Sequence, residues 1–278
     1  MRMITQRRNI AYFVLIVLTV LSLLPFFVLI INATRSHAQI QKGFSPFPGI
    51  SFGSNLVKLL SNPNMPVLKA LMNSVYVSVM AALLTTYFSA MTAYGIYMYN
   101  FKLKSAAFKL IMMIMMIPTQ CSTLGFLSLL TKLKMIDTLA ALYIPAIAAP
   151  VVFFYMYQAM QAMLPYSIVE AARIDGCNEF KIFNTIVLPM MKPAIAVQAI
   201  FAFVSSWNNY FVPALVINSK AKKTIPILIA QLRSADYQKF DMGQVYMIIC
   251  IAIIPLMIVY LFLSRSIISG VAVGAVKE

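Results

Sequence analysis

Six apolar runs, at about residues 10–31, 70–97, 108–130, 139–163, 194–217 and 246–263, divide the chain. Each reaches or approaches the roughly 20 residues that cross a hydrocarbon core as a helix. The pattern predicts an all-α, integral membrane bundle of six helices. The 278 residues suffice for one such domain with its loops, and leave no room for a separate catalytic domain. Residues 34–67, with Pro46, Pro48, Gly49, Gly53 and Pro63, read as a polar loop in which any helix should be short or interfacial. Ser36-His37-Ala38 has the small-x-small form of a cleavage site. The run before it is longer than a signal h-region of roughly 7–15 residues, so an uncleaved first span is expected. Pro25, Pro118, Pro145, Pro150, Pro213 and Pro255 fall inside the runs. Proline is tolerated there when neighbouring helices re-satisfy the freed backbone groups, which predicts kinked and closely bundled spans.

One polar interval, residues 167–193, breaks the apolar pattern and reads as two short helices joined at a glycine. Ser167 and Glu170 have the spacing of a capping box. Gly176 stands where a left-handed residue ends a helix at little cost. Asn178 suits the N-cap of a second helix, whose Phe180, Phe183 and Val187 fall near one face. Leu188, Pro189 and Pro193 close the unit, and small Ala171 and Ala172 lie at the tip of a hairpin shaped to be inserted into something.

Composition narrows the chemistry. With 62% hydrophobic and 10% charged residues and a mean hydropathy of +0.86, the apolar surface must face lipid. The net charge of +15 is spread over every loop without a basic and aromatic cluster, which suits anionic headgroups rather than nucleic acid. Cys121, Cys177 and Cys250 have the spacing of neither a disulfide framework nor a zinc site. Lys69 and Lys109 lie at span edges, where they can snorkel, and no Asp, Glu or His within a span could relay a proton. That counts against a proton-coupled carrier and weighs less against sodium coupling. His37 is the single histidine, the acidic residues form no pair in the membrane, and no phosphate-binding Gly-x-x-x-x-Gly-Lys loop occurs. The expectation is a transport subunit rather than an enzyme, binding no metal or cofactor itself and either passive or borrowing its energy. Six spans place eleven Lys and Arg on each side. The short basic head and the Lys102, Lys104 and Lys109 cluster assign the side that holds both termini and the 167–193 loop to the cytoplasm.

Polar groups inside the spans are few. Gln198, Ser205 and Asn209 share one helix face beside Ser206, Asn208 and the single tryptophan, Trp207. Such a face could line a wet path for a hydroxyl-rich solute, or hold helices together by hydrogen bonds. Gln120, after Pro118 and Thr119, poses the same alternative, and Met112, Met113, Met115 and Met116 suit adaptable packing. Gly270 and Gly274 have helix-dimer spacing but lie beyond the last apolar run.

Glu170-Ala171-Ala172, Asp175-Gly176, Leu188-Pro189 and Pro193 resemble the EAA loop of the membrane subunits of ATP-binding cassette (ABC) importers, with Cys177 where that family usually carries alanine. Asn73-Ser74, Ala93-Tyr94, Trp207-Asn208-Asn209 with Pro213, and Thr224-Ile225-Pro226 are similar to the carbohydrate-importing branch. The tail from Gly270 to Lys277 resembles that of its shorter, MalG-like permease, with Glu278 for the usual glycine. The resemblance implies the type I ABC importer fold in the bacterial cytoplasmic membrane. It also implies a second, homologous permease as heterodimer partner, two ATPase subunits that bind ATP and Mg, an extracellular solute-binding protein and a sugar substrate. By it, residues 170–183 form a coupling helix seated in an ATPase cleft, which assigns coupling to Glu170, Ala171, Ala172, Asp175, Gly176, Phe180, Phe183, Leu188 and Pro189. The tail would also touch the ATPases, and outer loops 34–67 and 218–242 would receive the binding protein. A non-sugar solute, or an ion-coupled carrier, stays open as the alternative.

Overall fold

The computed structural model describes residues 2–118, 121–234 and 241–275, and every regular element among them is helical. In order, these are α1 (Arg2–Ala33), α2 (His37–Gln41), α3 (Phe52–Leu60), α4 (Val67–Met98), α5 (Lys104–Met115), α6 (Thr123–Lys132) and α7 (Ala140–Tyr143). A 3-10 turn, Ile144–Ile147, leads to α8 (Pro150–Met163), α9 (Tyr166–Ile174) and α10 (Glu179–Ile182). A π turn, Phe183–Val187, then precedes α11 (Leu188–Met190), α12 (Lys192–Trp207), α13 (Phe211–Val216), α14 (Ile225–Arg233) and α15 (Met242–Ala275).

Among the described residues, four helices are long and apolar enough to cross a membrane: Arg8–Ala33, Val67–Met98, Ala140–Met163 and Met242–Phe262. Glu179–Met190 and Lys192–Trp207 add a fifth only if the pair, bent by 82°, counts as one. The third expected span is instead two helices, α5 and α6, with Pro118 in the break, and the fifth stops at Trp207 and resumes at Phe211. Proline causes these interruptions because it lacks the N–H that an α-helix needs. The expected re-satisfaction of backbone groups is visible at α8. The backbone is non-helical at Ala148 and Ala149 (ψ 84° and 83°), so α8 starts afresh at Pro150, and the Ala146 carbonyl before the break accepts from the Thr85 hydroxyl of α4 at 2.9 Å.

The chain packs as two units, Met1–Leu68 with Leu228–Ile254, and Lys69–Ile227 with Pro255–Glu278. In the first, Ser36 and Gln39 form a capping box on α2, so the small-x-small triplet is a helix start. Buried Asn55 of α3 donates to the carbonyls of Ala33 and Arg35, each at 3.0 Å. A Cβ at Gly243 would stand 2.7 Å from the side-chain Oδ1 of Asn55, so only glycine permits this approach. His37 Nδ1 accepts from the Met242 N–H at 3.1 Å.

The main core of the second unit joins Ala90, Ala93, Tyr94 and Tyr97 of α4 to Phe153, Met156 and Met160 of α8. Val169, Ala172, Ile182, Phe183, Val187 and Met191 complete it, so the polar interval of the sequence is anchored in this core by its apolar side. Each such large side chain contributes about 1.5–3 kcal/mol on burial. A second cluster gathers Leu130, Ala141, Val216, Ile217 and Ile227.

Candidate functional site

The hairpin begins at Pro165, whose extended backbone (ψ 136°) occupies the N-cap of α9. The expected capping box is absent, because the helix starts at Tyr166, one residue before Ser167. Tyr166 is held there by its hydroxyl, which donates to the Tyr97 carbonyl at 3.1 Å, and by its ring, 4.6 Å from that of Tyr97. Ser167 and Glu170 are therefore exposed. The other end forms as expected: Gly176 has φ +78°, and the N–H groups of Gly176 and Cys177 donate to the carbonyls of Arg173 and Ala172, each at 3.0 Å. This is a Schellman cap, which satisfies two carbonyls that would otherwise be orphaned. Asn178 caps α10, its side chain accepting from the Lys181 N–H at 2.8 Å.

Beyond α10 the helix widens into the π turn, where the Leu188 N–H reaches the Phe183 carbonyl. Pro189 follows at once and lacks an N–H for an ordinary α bond to Thr185. Thr185 and Asn184 bond back to the carbonyls of Lys181 and Phe180, at 2.7 and 2.8 Å. The chain then turns through 82° into α12.

Three tyrosines of α4 grip this hairpin. Tyr87 donates to the Asn184 side-chain oxygen at 3.2 Å, Tyr94 to Glu179 Oε2 at 2.7 Å, and Tyr97 to the Leu164 carbonyl at 3.1 Å. Glu179 also pairs with Arg173 at 2.6 Å, and the Arg173 guanidinium lies 5.4 Å from the centre of the Tyr99 ring. The Arg173 bond, then the Tyr94 bond, hold the Glu179 carboxyl down at about 2 despite its partial burial. Arg173 is shifted up in turn, chiefly by that carboxylate. A charge-assisted pair thus locks the two hairpin helices to each other and to the end of α4.

Outward, the hairpin exposes Glu170, Ala171, Asp175, Gly176 and Pro189, while Cys177 and Leu188 are half-buried. Ile174 is 86% exposed and Phe180 69%, so the tip is apolar as well as acidic. Ala172, at 6% exposed, packs inward. Phe180 does not share the face of Phe183 and Val187. Phe183 and Val187 are buried in the core with Ile182, whereas Phe180, one turn earlier, is left exposed.

A cavity of about 840 Å³ opens in the same unit between α4, α8 and α12. Gln198, Ser205 and Asn209 line it together, with Ser206 and Thr85 beside them and Phe126, Tyr155 and Phe201 as aromatic wall. Gln198 is 8% exposed. Trp207 does not line the cavity. It is 3% exposed, stacked on Phe203 at 5.7 Å and packed with Ala82, because two residues along a helix lie on opposite sides. Asn208 is exposed away from the cavity lining, and Gln120 lies outside the described residues.

Residues 49–272 match the profile of the binding-protein-dependent transport system inner membrane component. The chain belongs to this family. It is 33% identical to the arabinooligosaccharides transport system permease protein AraQ of Bacillus subtilis (strain 168), over 94% of this chain and 92% of that one. It is 29% identical to the lactose transport system permease protein LacG of Rhizobium radiobacter, over 99% of this chain and 100% of that one. The crystal structure of a bacterial ABC transporter involved in the import of the acidic polysaccharide alginate superposes with a TM-score of 0.80. Its identity is 20% over 94% of this chain and 96% of that one, a likeness of fold.

In this membrane component, pattern reading located the hairpin and the polar face of α12. It missed what holds the hairpin, Tyr87, Tyr94, Arg173 and Glu179. The spacing of seven between Tyr87 and Tyr94 puts both on one face of α4, and is the one local sign of that grip. Asp137 was also unforeseen. With φ +58°, it accepts from the N–H groups of Asn218 and Ser219, each at 2.9 Å, and from the Ser219 hydroxyl. Those bonds hold its carboxyl well below the usual carboxylate range.

Proposed function

We propose that this chain is the permease subunit of an ATP-driven, binding-protein-dependent importer that moves a sugar or oligosaccharide across the bacterial cytoplasmic membrane. Family membership supports the transport role, and relatives named for arabinooligosaccharides and for lactose support the solute class. In this reading six crossings form, and the two interrupted ones are α5 with α6 and α12 with α13. Both termini and the hairpin face the cytoplasm. A second permease and two ATPases, which bind ATP and Mg, complete the complex.

The observation that carries the coupling role is the two-sided hairpin. Its apolar and acidic tip, with Ile174, Phe180, Glu170 and Asp175, stands exposed, while its base is fixed to α4 through Tyr87, Tyr94 and Tyr97. A partner ATPase that seats the tip and closes on ATP would move the hairpin as a rigid lever. The Glu179–Tyr94 bond would pass that displacement to α4. The cavity beside α12 is the proposed solute path, with amide and hydroxyl groups on one side and aromatic rings on the other. Its lining carries no charged residue, which suits a neutral solute, since an unpaired ion there would lose its hydration.

Purification of the tagged chain with its chromosomal neighbours tests the proposal. Co-purification of an ATPase and a second permease, with ATP hydrolysis stimulated by sugar and binding protein, is expected. A chain that purifies alone and transports without ATP, with uptake that collapses on adding an ionophore, would replace the importer by an ion-coupled carrier.

A further inference from the structure

The last turns of α4 border a groove that neither the hairpin nor the solute path uses. A cavity of about 400 Å³ lies between Ser89 and Thr92 of α4, Ile111 and Ile114 of α5, and the break before α8. A second, of about 420 Å³, shares Thr92 and follows Gly95 and Tyr99 to Asn100 and Phe101. Together they run along one side of α4 for about 14 Å, from Ser89 to the helix end at Met98. Half of a roughly 30 Å hydrocarbon core is about the same length, so the groove is as deep as one leaflet.

Its walls suit hydrocarbon. The Thr92 hydroxyl turns back to the Phe88 carbonyl at 2.8 Å, and the Ser89 hydroxyl donates to the Ala149 carbonyl at 3.4 Å, so neither proton is left for a ligand. The space beside Gly95 is open, since a Cβ there would have no atom within 4 Å. The mouth is cationic. Lys102 follows Phe101 and is exposed, and Lys104 is half-buried, its ammonium donating to the Tyr97 carbonyl at 3.2 Å. Two of the three ammonium protons of Lys104 remain. No Asp or Glu precedes Asp137 in the chain, and Glu179, which reaches Tyr99, is neutralised by Arg173 at 2.6 Å.

We infer that the groove holds an acyl chain of an anionic phospholipid, with its phosphate set on Lys102 and Lys104. Placing that lipid in the cytoplasmic leaflet rests on the importer reading. The phosphate meets two ammonium groups that pair with no carboxylate among the described residues, while the chain fills an apolar groove of matching depth. A helix of a neighbouring subunit would need a face running the whole span, and this groove serves only half of one. Tyr99 lines the groove, and the Arg173 guanidinium lies 5.4 Å from the centre of its ring. The lipid therefore stands against the group that locks the hairpin, and steadies it.

The test uses the tagged chain with whatever co-purifies, in phosphatidylcholine nanodiscs. These are doped with a lipid that carries a diazirine on its acyl chain, under either a phosphoglycerol or a phosphocholine headgroup. After illumination, labelled peptides are mapped by mass spectrometry. Labelling of residues 89–101 and 111–114 is expected to be roughly fivefold higher or more with the phosphoglycerol lipid. Gly95→Leu fills the groove and should abolish that labelling with both lipids. K102Q with K104Q should keep the labelling and bring the two headgroups level. Equal labelling by both headgroups in the wild type, or a preference that survives both variants, would overturn the inference. So would protection of these residues from both lipids, which would show that a protein neighbour covers the groove. The two leaflets of a nanodisc have one composition, so the labelling is independent of the importer reading. A chain that purifies without an ATPase would overturn that reading and the choice of leaflet, while the labelling would still decide the lipid.

Discussion

Gly176 and Glu179 set the shape of the hairpin. At φ +78°, Gly176 sits where a Cβ costs about 1–2 kcal/mol, and proline, with φ fixed near −65°, cannot sit there at all. Gly176→Pro is expected to abolish uptake while leaving membrane insertion intact, measured as transport against the amount of chain in the membrane. Tyr94→Phe removes the donor of the bond to α4, and Glu179→Ala its acceptor. If that bond transmits motion, each single variant and the double variant should lower transport per ATP hydrolysed by a similar factor, roughly fivefold or more. Additive losses would show that the two act separately. The carboxyls of Glu179 and Asp137 are both held below their unfolded values. Their stabilisation is therefore complete above the ordinary carboxylate range and drains away as pH falls through it, for Glu179 between about 5 and about 2. Thermal unfolding in detergent from pH 7 down to pH ~3.5 should flatten in the combined variant D137N, E179Q, because neither replacement titrates.

At the scale of elements, proline decides where helices stop and hydroxyls decide whether stopping is tolerable. The Thr85 hydroxyl donates to the Ala146 carbonyl at the break before α8. Thr85→Val should cost about 0.5–1.5 kcal/mol in chemical denaturation, the net worth of one hydrogen bond to a half-buried carbonyl. The π turn at Phe183–Val187 and the 82° bend after Met190 follow from the missing N–H groups of Pro189 and Pro193. They redirect the chain from hairpin to α12 without a flexible linker, as a rigid lever requires.

Across the whole molecule, charge is kept out of the spans and spent at their ends. The cavity is walled by Phe126, Tyr155, Phe201 and the polar edge of α12, with no cation to meet an anionic solute. Neutral oligosaccharides are expected to stimulate ATP hydrolysis in the assembled complex, and uronic-acid oligomers of the same length to stimulate it at least tenfold less. If the cavity is the solute path, Gln198→Ala with Asn209→Ala should raise the KM for the neutral sugar several-fold at little change in expression, since two amides facing the cavity are lost. Equal stimulation by the acidic oligomers would remove this cavity from the solute path.

Much of this was legible along the chain. Apolar runs of membrane length, the left-handed glycine at Gly176 and the Asn178 cap are local facts, set by burial and backbone sterics within a few residues. Trp207 obeys a local rule, since two 100° steps carry it to the side opposite Ser205 and Asn209, whereas the exposure of Phe180 was not set by helix periodicity. The capping box at Ser167 failed because a distant tyrosine, Tyr97, draws Tyr166 into the first turn. The Tyr94–Glu179 bond joins residues 85 apart, and the Asp137–Ser219 bonds join residues 82 apart. The sequence by itself determined that the chain crosses a membrane and carries a polar hairpin. Only the tertiary structure decided what grips the hairpin and which loops fuse into one surface, because a hydrogen bond depends on where packing brings its donor and acceptor.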